Sequence, residues 1–206
     1  MVHLVNHPLV QDILFELRDA RTTPERFRQL AGRISVLLAA EALRDLPTVA
    51  DTVATPLGPA QGRRVTSDVV LVPVLRAGLG MLPGMLELVP GARVGHIGLQ
   101  RDERTALASQ YYWKLPPRIE DSYVLMIDPM LATGGSAVAA LDMLSRAGAR
   151  HIRLVCIVAA PEGIAAVEKA YPAIPIFTPV IDDRLNDQKF IVPGLGDFGD
   201  RLYGTM

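Results

Sequence analysis

The sequence predicts an α/β fold: a parallel sheet flanked by helices, with N-terminal helices and a small hairpin appendage. Three observations predict it. From residue 69 onward, short apolar runs such as Val69–Val72, Tyr123–Ile127 and Ile152–Val158 alternate with helical patterns. Strands that are apolar on both faces belong to parallel sheets covered on both sides. Ahead of residue 47 the apolar residues instead recur at helical spacing.

In the first helix, Pro8 suits the first helical position, and Leu9, Ile13, Leu14 and Leu17 share a face. The second starts at the capping sequence Thr23-Pro24-Glu25. Its apolar face is Phe27, Leu30, Ala31, Ile34, Leu37 and Leu38, and Pro47 stops it. Residues 48–67 are turn-rich and suggest a short irregular hairpin. A helix is expected over Ala77–Val89, a strand over Val94–Leu99, then a polar stretch, Gln100–Gln110, ending in Tyr111-Tyr112-Trp113. Gly134–Ala147 and Pro161–Ala170 read as helices and Ile174–Phe177 as a strand, while residues 182–206 show little periodicity. With no repeat and no linker, the chain is expected to be one domain, 1–206.

Lys plus Arg number 21 against 22 Asp plus Glu, so no overall field draws the chain to nucleic acid or membrane. The longest apolar runs are about seven residues, far short of the roughly 18 needed to span a bilayer. The opening residues lack the basic and apolar regions of a secretory signal, and the expected compartment is cytoplasmic. The single cysteine, Cys156, lies in an apolar strand and reads as a buried structural thiol. The four histidines have no metal-ligand spacing.

The most informative segment is Val124-Leu125-Met126-Ile127-Asp128-Pro129-Met130-Leu131-Ala132-Thr133-Gly134-Gly135-Ser136. A buried strand ends at an acid, and Thr-Gly-Gly-Ser then opens a helix. Ligands of open parallel sheets sit beyond the carboxyl ends of strands. Glycines let the backbone turn and approach a ligand, and unpaired N–H groups at the helix start face an anion, with the Thr133 and Ser136 hydroxyls beside them. No Gly-Lys-[Ser/Thr] follows, so this is not the ATPase phosphate loop. Asp128 can accept hydrogen bonds from the hydroxyls of a sugar attached to that phosphate. Sugar hydroxyls at one end and phosphate at the other describe a ribose 5-phosphate.

This pattern resembles the phosphoribosyltransferase signature, and Asp-Pro-Met-Leu-Ala-Thr-Gly-Gly-Ser is similar to its uracil phosphoribosyltransferase form. Segments elsewhere agree in the same order: His7–Val10, Pro73–Met81, Arg101-Asp102-Glu103, Ala159–Gly163 and Ile191–Asp197. The resemblance spans essentially the whole chain. It implies a type I phosphoribosyltransferase-like sheet and transfer of ribose 5-phosphate from phosphoribosyl pyrophosphate (PRPP) to N1 of uracil, giving UMP and pyrophosphate. It implies Mg²⁺ bound mainly through PRPP, a homodimer or larger homo-oligomer, and, as in some relatives, a GTP activator.

Residue by residue, the resemblance implies that Asp128, Pro129, Met130, Leu131, Ala132, Thr133, Gly134, Gly135 and Ser136 bind PRPP. Arg76 and Arg101 would hold its pyrophosphate, and Asp197 would lie near it. Arg76 supports this by itself: an arginine at a helix start is electrostatically awkward unless an anion sits nearby. A cis non-proline peptide is implied near Arg76. Arg76, Arg101 and Asp128 would be the catalytic group, acting by placement and charge stabilisation as the sugar–pyrophosphate bond breaks. The backbones of Ile191, Gly196 and Phe198, with Asp197, would read the uracil edge and reject cytosine, whose amino group reverses one donor–acceptor pair. No general base is apparent. Gly194–Gly199 formally matches the Gly-x-Gly-x-x-Gly fingerprint, but only about seven residues follow, too few for a helix and second strand.

Four departures from the family pattern stand out. Phe198 replaces a usual alanine, Arg104 a usual acid, and Arg184 stands near a usual glycine; Ala106–Ser109 also lacks an acidic-proline pair. Phe198 is expected to narrow or reshape the base pocket. Transfer to another base, or a PRPP- or UMP-sensing regulator on the same fold, are the alternatives. The aromatic cluster Tyr111–Trp113 is expected to pack within an arm or subunit interface.

Overall fold

The computed structural model describes residues 1–101 and 108–205. The chain opens with β1 (Val2–Leu4), α1 (Pro8–Arg18) and α2 (Pro24–Ala42). Both helices begin as their sequences ask. His7 accepts the Leu9 N–H at 3.1 Å and Thr23 accepts the Arg26 N–H at 3.3 Å. Each cap precedes a proline whose missing N–H leaves nothing unpaired. Next come the antiparallel hairpin β2 (Thr48–Thr55) and β3 (Gly58–Val65), then β4 (Val69–Leu75), a 3₁₀ turn (Ala77–Gly80) and α3 (Leu82–Leu88). The middle of the chain gives β5 (Arg93–Val94), β6 (His96–Arg101), β7 (Ala108–Lys114), β8 (Tyr123–Ile127), β9 (Met130–Leu131) and α4 (Gly135–Arg146). It closes with β10 (His151–Val155), β11 (Val158–Ala159), α5 (Pro161–Ala170), β12 (Ile176–Thr178), β13 (Arg184–Leu185), β14 (Ile191–Val192) and α6 (Phe198–Tyr203).

The main sheet runs β1-β12-β10-β8-β4-β6-β7, with β5 also beside β4. Its pairs are parallel except β6 with β7, which makes an antiparallel edge. Because successive side chains of a strand point to opposite faces, the apolar runs fill two cores at once. Val69 and Leu71 join Leu17, Phe27, Ile34 and Leu38 on the face covered by α1, α2, α3 and α6. Val70 and Val72 join Leu141, Leu144 and Val167 on the face covered by α4 and α5.

Several boundaries differ from expectation. The hairpin is regular, paired from Thr48↔Val65 to Thr55↔Gly58. The helix expected over Ala77–Val89 divides into the 3₁₀ turn and α3, with Pro83 in the first turn of α3. The strand expected to reach Val158 leaves the main sheet after Val155, and Val158 pairs instead with Met130. The polar stretch ends in strand β7, whose Tyr111, Tyr112 and Trp113 are each about half exposed. Leu9 faces outward rather than joining the α1 core stripe. Cys156 is buried, and burial pushes its thiol up to about 12, as expected of a structural cysteine.

Candidate active site

The carboxyl ends of the neighbouring strands β8, β4 and β6 carry Asp128, Arg76 and Arg101 in turn. Arg101 closes β6 opposite Ala108; its side chain, and Arg104 with the rest of 102–107, lie outside the described residues. Arg76 is exposed and follows a cis Leu75–Arg76 peptide, as implied. Its guanidinium carbon lies 5.9 Å from the Tyr203 ring centroid, and the Tyr203 hydroxyl donates to the Arg76 carbonyl at 3.4 Å.

The acid–glycine loop is clamped from beneath. The Pro129 carbonyl accepts the N–H groups of Ile157 (2.9 Å) and Val158 (3.1 Å), and the Leu131 carbonyl accepts that of Ala160 (2.9 Å). β9 pairs with β11, Met130 beside Val158 and Leu131 beside Ala159. On the α5 side, a Cβ on Gly163 would lie 2.6 Å from the carbonyl oxygens of both Leu131 and Ala132, so this contact requires glycine. Gly134 then caps α4 at φ +80°, a left-handed conformation, leaving the first-turn N–H groups pointing outward. Asp128, Met130, Leu131, Ala132, Thr133, Gly134, Ser136 and Ala137 enclose a cavity of about 220 Å³. Gly135 does not line it, although its N–H donates to the Thr133 hydroxyl at 3.4 Å. Burial pushes the Asp128 carboxyl up to about 7, opposed in part by the Met130 N–H.

A second cavity, about 160 Å³, adjoins the first. It is bounded by Met130 and Ala132 on one side and by Lys189, Phe190, Ile191, Gly196, Asp197 and Phe198 on the other. Met130 and Ala132 thus border both spaces. The structure brings together the acid–glycine loop and the C-terminal glycine loop, which are about sixty residues apart in sequence.

Comparison with known proteins agrees with this geometry. The model of the family described as uracil phosphoribosyltransferase matches residues 4–205. The chain is 52% identical, over 206 residues and the full length of both, to the uracil phosphoribosyltransferase of Dictyoglomus turgidum. The chain belongs to the uracil phosphoribosyltransferase family. A solved structure of the AQ2163 protein from Aquifex aeolicus is 37% identical, covers 98% of each chain and superposes with a TM-score of 0.93. The purine phosphoribosyltransferase of Pyrococcus horikoshii, at 15% identity and a TM-score of 0.50 over 74% of this chain and 88% of that one, shares the fold alone.

Against the family pattern, Phe198 behaves differently from expectation. It is 1% exposed, and its ring packs edge-on to Phe27 with centroids 5.0 Å apart. A Cβ on Gly80 would come within 2.9 Å of that ring and 2.8 Å of Leu202, so Gly80 leaves room for it. The phenyl group is therefore buried against the core, while Phe198 also borders the second cavity. Asp197 caps α6, accepting the Asp200 N–H at 2.9 Å, while bordering the second cavity. Sequence reasoning missed Lys189 and Phe190, which sit at the tip of the β13–β14 hairpin, and Tyr203 beside Arg76. The signal for the tip was present in Asn186, whose side chain accepts the N–H groups of Gln188 and Phe190 and bends the turn.

Proposed function

We propose that this chain is a uracil phosphoribosyltransferase, converting uracil and PRPP to UMP and pyrophosphate in pyrimidine salvage, with residues 1–206 as one catalytic domain. The observation that supports it most is the pair of adjoining cavities sharing Met130 and Ala132. One offers helix N–H groups, hydroxyls and a carboxylate, as a ribose 5-phosphate needs; the other offers the main chain of a bent loop, as a flat base edge needs. Thr133–Ser136 hold the 5-phosphate and Asp128 the ribose hydroxyls. Arg76 and Arg101 hold the departing pyrophosphate. Ile191, Gly196 and Phe198 present main-chain groups to uracil, beside Asp197.

Among the described residues no group of three or more His, Cys, Asp or Glu could hold a metal unaided. A Mg²⁺ would be carried mainly by PRPP, because this ion keeps several waters and takes substrate phosphates as ligands, and the Asp128 carboxylate lining the first cavity is an oxygen donor of the type it takes. When bound it neutralises charge developing on the leaving group. The half-exposed Tyr111–Trp113 strand and the hairpin residues Val49, Val53 and Leu57 support a homo-oligomer. Among the described residues no helix is long and apolar enough to cross a membrane.

The test is UMP formation from uracil, PRPP and Mg²⁺, run beside cytosine, hypoxanthine and orotate. Turnover of uracil alone is expected, because the Phe198 ring does not intrude on the base. PRPP binding without turnover of any base would overturn the assignment. The same assay with and without GTP decides whether that nucleotide activates this chain.

Asp128 gives the activity a pH signature. Its folded pKa of about 7 lies above the unfolded value of 3.8, so the folded chain holds the proton more tightly. Stability therefore falls as pH rises through that window, while the carboxylate that accepts from ribose hydroxyls becomes populated. Affinity for ribose 5-phosphate is expected to rise from about pH 6 to about pH 8, centred near the Asp128 pKa. Asp128→Asn should remove this step, leaving only the titration of the phosphate itself. Calorimetric titrations of both proteins across the range would show an unchanged difference if Asp128 does not touch the sugar.

A further inference from the structure

The base loop between β14 and α6 turns through Gly194 at φ +57° and Gly196 at φ +79°. Among the described residues no main-chain hydrogen bond closes within 193–196, so partners from outside the loop hold its polar groups. The described contacts show what imposes it. The Arg18 guanidinium, at the last residue of α1, donates to both carboxylate oxygens of Asp182, at 2.9 and 2.6 Å. It also donates to the Gly194 carbonyl at 2.9 Å. Asp182 in turn accepts the Gly194 N–H at 2.8 Å, so both main-chain groups of Gly194 are held by one part-buried ion pair.

Arg201, 6% exposed, secures the next residue. It donates to the Leu195 carbonyl at 2.8 Å and to the α1-end carbonyls of Leu17 and Asp19, at 2.5 and 2.6 Å. Two successive residues immediately ahead of Gly196 are thereby fixed to the last turn of α1.

We propose that Arg18, Asp182 and Arg201 are positioning residues for the base: they hold the loop's main chain at the register in which it reads uracil. None of them lines either cavity. This rests on the reading of residues 191–198 as the uracil site. Because the acid–glycine loop is clamped separately by β11 and α5, the network acts on the base half of the site and leaves the phosphate half alone.

The experiment compares calorimetric Kd values for UMP and ribose 5-phosphate, whose ratio isolates the contribution of the base. The proteins are the unmodified chain, Arg18→Lys, which keeps the charge but loses the planar fork, and Asp182→Asn, which keeps the shape. The Kd for ribose 5-phosphate divided by that for UMP is expected to fall by about tenfold or more in both variants while ribose 5-phosphate affinity changes less than about twofold. Retained ribose 5-phosphate binding also reports that the variant is folded. A ratio that stays at the unmodified value overturns the proposal, and so does a parallel loss of both ligands, which marks a general structural role. If the unmodified chain itself binds UMP no better than ribose 5-phosphate, the uracil reading fails first and takes the proposal with it.

Discussion

Arg76→Ala is expected to lower kcat/KM for PRPP by about 10²- to 10³-fold, the scale of removing one charge-stabilising donor from a transition state. The side chain is exposed at the carboxyl end of β4, so the loss should come with little change in folding stability, within about 0.5 kcal/mol. Arg76→Lys keeps the charge but not the two-pronged donor geometry that matches a diphosphate, and should fall between the two. Steady-state kinetics at saturating uracil, beside a denaturant melt, separates the effects. Turnover of Arg76→Ala within a few-fold of the unmodified chain would remove this residue from the pyrophosphate site.

In the acid–glycine loop, a large loss from a single methyl group is expected at Gly134. At φ +80° an alanine is strained by about 1–2 kcal/mol. Its Cβ would also lie 2.7 Å from Cβ of Ala166 and 2.9 Å from the Gly163 carbonyl, an overpacking worth about 1–3 kcal/mol more. Gly134→Ala should therefore lower stability by roughly 2–5 kcal/mol and weaken ribose 5-phosphate binding by about 10²-fold as the loop shifts. Gly135→Ala is the contrast: the nearest atom to its Cβ is the Thr133 hydroxyl at 3.7 Å, and the residue starts α4. Its stability should stay within about 0.5 kcal/mol or rise slightly, since alanine favours helix. Urea melts of the pair decide this, and native stability in Gly134→Ala would refute the close-packing argument.

What was legible in the sequence was whatever short-range pattern determines. Val69–Val72 and Tyr123–Ile127 announce buried parallel strands because each is apolar at successive positions, and both lie in the sheet centre. The acid–glycine loop was legible because its chemistry is contiguous: strand end, carboxylate, left-handed glycine, helix. β1 was invisible, since three residues carry no periodicity and its partner β12 comes near the other end of the chain. α6 is only six residues long and begins inside a glycine-rich loop, so its pattern had no room to show. Phe198 illustrates a further limit. A bulky residue inside a recognised ligand loop reads as a change to the pocket, whereas its direction is set by Gly80 and Phe27, both far away in sequence. Arg18 and Asp182 stand 164 positions apart, beyond any local motif.

That separation orders the protein's own manufacture. Arg76 and the acid–glycine loop, with the strand and helix that brace it, leave the ribosome well before Asp182 and Arg201 are added. Until those last residues swing back onto α1, the carbonyls of Leu17 and Asp19 lack the guanidinium that joins them to the C-terminal glycine loop. If residues 191–198 hold uracil, a nascent chain owns its phosphate loop before it can tell one nucleobase from another, and the capacity to discriminate arrives only when the two ends of the polypeptide meet.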